Sequence, residues 1–297
     1  MTAAEQGFLL LTGYLADPER KPLTVAQFRD LTIRMRAMDK PKQEREMTRE
    51  DLLAIGCNRD FAQRILLLLS QEEQLQWYLE KGKRLGCVPV TRVSALYPQK
   101  LRNALGLDAP GVIWMKGDLS ILECPAVALV GSRDLNEPNK QFAKEVGKQA
   151  AMQGVVLVSG DARGADKTAQ DSCLEHGGKV ISVVADELEN HETQENVLFL
   201  SEDGFDLPFS SQRALQRNRV IHSLGQKTFV AQCAYGKGGT WNGTRKNLQH
   251  NWTPVFCMDD ESDACRELTQ MGAVAVRVDA LSNFAELKTL TMDFLKP

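Results

Sequence analysis

Apolar residues fall into two regimes along this chain. Up to about residue 85 they recur at spacings of three and four, as in "TVAQFRDLTIRMRAM" and "REDLLAIGCNRDFAQRILLLLSQEEQLQWYLEKGKRLG". That period predicts amphipathic helices. From about Cys87 the apolar residues gather into short continuous runs: "CVPV", "VIWMKG", "AVALVGSR", "VVLVSG", "KVISVVA", "KTFVAQC", "TPVFCM" and "AVAVRV". Such runs predict strands buried on both faces.

Helical patterns alternate with these strands. "NKQFAKEVGKQAAMQG" sets Phe142, Val146 and Ala150 on one face and ends at Gly154. "ADKTAQDSCLEHGG", "QRALQRNRVIHSLG", "TWNGTRKNLQHN", "DACRELTQMG" and "SNFAELKTLTMDFL" follow, the last as a final helix. Residues 186 to about 212 read as polar and irregular. Alternation of buried strands with helices predicts an α/β fold with a doubly wound, mainly parallel sheet. The expected division is a small helical domain over 1–85 and a sheet domain over 86–297.

The 297 residues are 43% hydrophobic and 25% charged, an ordinary globular composition, and the net charge is -3. That balance argues against a protein that coats polyanions by bulk charge, but it leaves room for a local basic groove. Seven cysteines stand singly, with no CxxC pair, and the four histidines lack ligand spacing. The expectation is buried thiols in a reducing cytoplasm and no metal site. "GFLLLTGYLA" (7–16) lacks a basic flank and is too short to span a bilayer. A soluble cytoplasmic protein is expected, with no membrane contact.

Ligands of open parallel sheets bind beyond the carboxyl ends of the strands, and the loops there are unusual. "ALVGSRD" offers Gly131 for a tight turn, the Ser132 hydroxyl and the Arg133 guanidinium. "VVLVSGDARGAD" brings Ser159, Gly160, Arg163 and Gly164 together, with Asp166 placed to cap the next helix or to orient Arg163. "CAYGKGGTWNGT" sets Lys237 among Gly236, Gly238 and Gly239, with Thr240 at an N-cap position. It resembles a phosphate cradle, although neither Walker A nor GxGxxG spacing is present. Arg213, Arg217 and Arg219 flank Asn218 where a helix opens, against the macrodipole. An anion lying there accounts for that placement. No nucleophile–base pair stands out, so binding is expected rather than catalysis. "AIGCNRDFAQRILLLL" predicts a helix, a Gly-containing turn and a second helix. This form is shared by plain helical hairpins and by helix-hairpin-helix contacts to a DNA backbone.

In order, "YPQKLRNAL", "DAPGVIWMKGD", "VALVGSR", "VLVSGDARGAD", "QRNRVIHSLG", "TFVAQCAYGKGGT" and "TPVFCMDDES" resemble the DprA/Smf family of DNA-processing proteins, over roughly residues 85–280. The resemblance implies a Rossmann-like fold behind a helical domain, no enzyme activity and no cofactor. It also implies binding of single-stranded DNA, dimerisation, and loading of RecA in natural transformation. Carried over by motif, Gly131, Ser132, Arg133, Ser159, Gly160, Arg163, Arg217, Asn218 and Arg219 form the DNA pocket. Our reading of the loops adds Arg213, Lys237, Gly238, Gly239 and Thr240, with Trp241 and Phe209 as stacking candidates or core residues. The family's ARGID...AH stretch has Ala165 for Ile and Gln170 for His here. Gln232 replaces the usual Glu, "MDD" replaces the usual PG, and the chain ends soon after Leu295 without the winged helix common in the family. A second reading is a nucleotide-binding sensor, or a relative of the LOG-type phosphoribohydrolases, in a defence or signalling system. "GKGGTWNGT" is similar to the PGGxGTxxE loop of LOG-type phosphoribohydrolases, but Thr244 and Arg245 stand near where the catalytic Glu belongs.

Overall fold

The computed structural model describes residues 1–38 and 46–288. The N-terminal stretch folds as α1 (Ala3–Thr12), α2 (Val25–Arg36), α3 (Arg49–Ala54), α4 (Arg59–Leu69) and α5 (Glu72–Arg84). Thr2, Thr24 and Thr48 start the first three helices with reciprocal capping boxes, and the Asn58 side chain caps α4. In the α3–α4 hairpin the amides of Gly56 and Cys57 bond inward, to the carbonyls of Leu53 and Leu52. They are spent on the turn itself. Leu11, Phe28, Leu31, Leu52, Ile65 and Leu68 form a core among these helices. Leu9 of α1 and Leu75 and Tyr78 of α5 belong instead to the core on one face of the sheet, where Tyr78 meets Trp114 edge-on.

The remaining elements are β1 (Val88–Thr91), α6 (Gln99–Leu105), β2 (Val112–Gly117), β3 (Ala126–Val130), α7 (Glu137–Met152), β4 (Val156–Ser159) and α8 (Ala165–Glu175). Then come β5 (Val180–Val183), β6 (Val197–Glu202), α9 (Ser211–Leu224), β7 (Thr228–Val230), α10 (Gly238–His250), β8 (Val255–Met258), α11 (Asp263–Gln270) and β9 (Val274–Val276). The strands form one sheet in the order β1-β2-β6-β5-β4-β3-β7-β8-β9. From β6 to β9 every pairing is parallel, while β1 and β2 add an antiparallel edge. The α/β class and mainly parallel, doubly wound sheet expected from sequence are present.

Alternate residues of β3 divide the core. Val127 and Leu129 face Phe142, Val146 and Ala150 of α7 and Ala165 and Ala169 of α8. Ala128 and Val130 face Val220, Ile221 and Leu224 of α9 and Trp241 of α10. Both faces are thus covered, as a parallel sheet requires.

Two expectations need correction. Residues 197–202, read as irregular, form β6, buried at all six positions and seated between β2 and β5. The run "VLFL" carried the signal, but the polar residues around it masked a strand that needs no long apolar flank when both faces are covered. The final helix over "SNFAELKTLTMDFL" is not formed in its described part. Phe284–Glu286 is a single 3-10 turn that buries Phe284, and residues 289–297 lie outside the described residues.

Helices α7 and α8 cross closely at Gly147, where an added Cβ would press on the Ala169 backbone. In a free helix Gly→Ala gains about 1 kcal/mol, but overpacking at this crossing costs about 1–3 kcal/mol. The steric term wins because its obstacle is backbone, which cannot rotate aside. Gly147→Ala is therefore expected to lower the urea midpoint with an unchanged m-value. A midpoint at or above the parent's would show that the crossing relaxes freely.

Candidate functional site

At the centre of the sheet β3 pairs with β7, and their connections leave to opposite faces, through α7 and α10. This is the switch point at which open α/β sheets leave a crevice. A cleft of about 390 Å³ lies there, lined by Gly131, Ser132 and Arg133 after β3, Ala162 and Asp166 after β4, and Phe209, Arg217 and Asn218 at α9. Lys237, Gly238, Gly239 and Thr240 close it at the start of α10.

Backbone bonds lock these loops to one another. Ser132 donates its amide to the Gln232 carbonyl (2.8 Å), and the Ser132 carbonyl accepts from the Ala165 amide (3.1 Å). Thr240 Oγ1 donates to the Gly131 carbonyl (2.9 Å), and Asn218 Nδ2 to the Gly239 carbonyl (3.2 Å). Two small residues permit this closeness. A Cβ on Gly131 would strike that of Ala165, and one on Gly164, whose φ is +90°, would strike the Ser132 and Arg133 carbonyls. The Gln residues that depart from the family pattern have structural work. Gln232 Oε1 accepts from the Asn136 amide (3.0 Å), and Gln170 Nε2 donates to the Gly160 carbonyl.

The cleft presents donors to an anion. The first-turn amides of α10 point out of an uncapped helix start, since Lys237 makes no side-chain cap. Arg133 and Lys237 are exposed, and neither forms an ion pair with any described residue. Arg217 is buried, donates Nη1 to the Val183 carbonyl (2.9 Å) and leaves Nε without a partner. Burial draws its pKa down, against the negative charges of Asp166, Asp161 and Asp186. Burial likewise pushes Asp166 up to about 6, opposed by Arg217. Gly160 must be glycine because the Arg217 guanidinium and the Asp166 carboxylate both occupy the space of a Cβ.

The structure separates the residues singled out from sequence. Gly131, Ser132, Arg133, Arg217, Asn218, Lys237, Gly238, Gly239 and Thr240 line one cleft. Ser159 and Gly160 lie beneath it, with Ser159 fully buried. Arg163 stands beside it, paired with Asp134 at 2.8 Å in an exposed bridge. Asp166 neither caps α8, whose N-cap is Gly164, nor orients Arg163.

Arg213 and Arg219 point elsewhere. Arg213 donates to the carbonyls of Ala185, Leu207 and Pro208 (2.6–2.8 Å) and to Ser201 Oγ (3.1 Å). It therefore fixes the loop before α9. Arg219 binds both carboxylate oxygens of Glu202, at 2.8 and 2.9 Å. The macrodipole argument is corrected accordingly. Helix α9 starts at Ser211 with a Ser210 cap, so only Arg213 lies in its first turn, and five acceptors satisfy it. Of the aromatic candidates, Trp241 is core and Phe209 is 53% exposed on the cleft wall. Sequence reasoning missed Ala162, Ala214 and Leu215 as lining, and small or apolar residues carry no signal for that role. It also missed Asp166 as the counter-charge facing Arg217, because these residues are fifty-one positions apart.

Among the described residues, no group of three or more His, Cys, Asp or Glu could hold a metal, and no helix is long and apolar enough to cross a membrane.

These features define an α/β protein with a donor-lined cleft at a sheet switch point. The family model described as DNA recombination-mediator protein A matches residues 89–286, and the chain belongs to that family of DNA-processing proteins. DNA processing protein DprA of Streptococcus pneumoniae is 34% identical over 196 residues, covering 60% of this chain and 68% of the relative. DprA of Bacillus subtilis is 25% identical over 234 residues, covering 74% and 76%. The X-ray structure of the Streptococcus pneumoniae protein superposes with a TM-score of 0.74 at 25% identity over 97% of this chain and 99% of that one. DprA from Helicobacter pylori, described for its single-stranded DNA binding mode, shares the fold at a TM-score of 0.56 and 23% identity, over 67% and 95%.

Asp166 generates a pH prediction. Its folded pKa of about 6 lies above the unfolded value, so the native state holds the extra proton between about pH 4 and pH 6. Stability therefore falls as pH rises through that window, by on the order of 3 kcal/mol from this group. In Asp166→Asn the fall in denaturation midpoint across the window should shrink. An identical pH profile in parent and variant would mean that the carboxyl is solvated.

Proposed function

We propose that the cleft binds single-stranded DNA through its sugar-phosphate backbone. The observation that carries this reading is the convergence, on one switch-point cleft, of two unpaired cations (Arg133 and Lys237) with the uncapped start of α10. Phosphodiesters suit that arrangement, since each offers acceptor oxygens and one negative charge. Phe209, exposed on the same wall, offers a ring face to an unpaired base, which a duplex keeps stacked inside. Family membership supports the reading, as does the description of the Helicobacter pylori relative.

On this reading the protein works by holding and delivering a strand, without bond chemistry of its own. The helical N-terminal segment is a domain attached to the binding domain. The protein acts in the cytoplasm as a homodimer and passes its strand to the RecA recombinase.

Fluorescence anisotropy with a labelled oligothymidylate, titrated over salt, tests this. Arg133→Ala and Lys237→Ala are each expected to weaken binding about tenfold, the loss of one charge-assisted contact of about 1.5 kcal/mol. Each should also reduce the log–log salt slope by about 0.7. Unchanged affinity and slope in both variants would remove the cleft as the DNA site. Saturable binding of a mononucleotide with no binding of the oligonucleotide would instead make it a small-nucleotide site.

A further inference from the structure

We infer that the bound strand continues out of the cleft into a second groove on the outer sides of α9 and α10, where Arg245 and Lys246 take phosphates and the His250–Trp252 pair stacks a base. This rests on single-stranded DNA being the ligand of the cleft.

The second groove holds about 750 Å³, against about 390 Å³ for the cleft. Leu215, 51% exposed, lines both and forms the sill between them. A strand with a phosphate at the start of α10 meets this sill next. Beyond it lie the groove's cations, Arg245 and Lys246, and neither pairs with a carboxylate among the described residues. The one carboxylate lining the groove, Asp108, is held by Arg29 at 2.6 Å. The groove thus presents net positive charge despite the chain's overall negative balance.

Two further observations point to a nucleic acid rather than a simple anion. His250 and Trp252 stack with ring centroids 5.5 Å apart and planes 9° from parallel, and His250 is exposed. Such a pair is a platform for a base, since every base has a π-face. Gln212, Gln216, Asn242 and Gln249 line the walls, and their side-chain amides bond to no described residue. Each offers both donors and an acceptor to base edges. Arg219, which lines the groove, is anchored on Glu202 and keeps a buried Nη2 without a partner among the described residues.

The test uses the full chain and oligothymidylates of about 4 and about 16 nucleotides, the span of strand-binding site sizes. In the parent the longer oligonucleotide should bind more tightly. The double variant Arg245→Ala with Lys246→Ala should weaken the longer one tenfold or more, with a salt slope lower by about 1.4 for two lost contacts. It should leave the shorter one within twofold. Exchanging the cations, Arg245→Lys with Lys246→Arg, should restore most of the loss, and His250→Ala should reduce only the longer oligonucleotide's affinity. Equal affinity of both lengths in the parent, or an equal loss for both in the double variant, would overturn the groove while leaving the cleft standing. Failure of both lengths to bind the parent would overturn the cleft reading itself, and the groove with it.

Discussion

Strands β3 and β7 run side by side in parallel, with Val130 opposite Val230, while the chain leaves their ends toward opposite faces of the sheet. Two loops that would otherwise fill the space are thereby pulled apart, and a gap opens above the central pair. Everything in the cleft answers to this constraint. Gly131 must be small because α8 begins against it. Thr240 reaches back to the Gly131 carbonyl and holds the start of α10 over the gap. The first-turn amides of that helix receive no side-chain cap from Lys237.

The charges around the gap divide into held and free. Arg213 is held by carbonyls and Arg219 by Glu202, and they shape the entry to α9 and its outer side. Arg217 is buried beside Asp166, whose carboxyl burial pushes up to about 6. Burying a cation in this way is costly unless compensated, and here the compensation is incomplete, since Nε stays unsatisfied. Among the described residues lining the cleft, Arg133 and Lys237 stand in solvent without an acidic partner. A negative chain overall therefore presents a local positive field.

Much of this was legible in the sequence. Consecutive apolar runs marked the buried parallel strands, and Gly, Ser and Arg after them marked the loops that meet at the switch point. What stayed hidden was pairwise. Three arginines within one helix look alike as letters, yet Arg219 lies on another side of the helix from Arg217, Arg213 is drawn to the carbonyls of Ala185, Leu207 and Pro208, and of the three Arg217 alone lines the cleft. Their partners, such as Ser201 and Glu202, sit in β6, the strand that polar surroundings concealed. Asp166 looked like a helix cap because acids often are. Its actual neighbour, Arg217, comes from across the sheet, where sequence spacing gives no hint.

The bond from Thr240 to Gly131 spans 109 positions, and that from the Asn136 amide to Gln232 spans 96. No local segment can build the cleft. As the chain emerges from the ribosome, β3 is complete long before β7 exists, and the neighbours that complete its ladder arrive about a hundred residues later. Closing so long a loop is slow relative to helix formation. The ligand cleft is therefore among the last parts to assemble, and a half-made chain presents no working version of it.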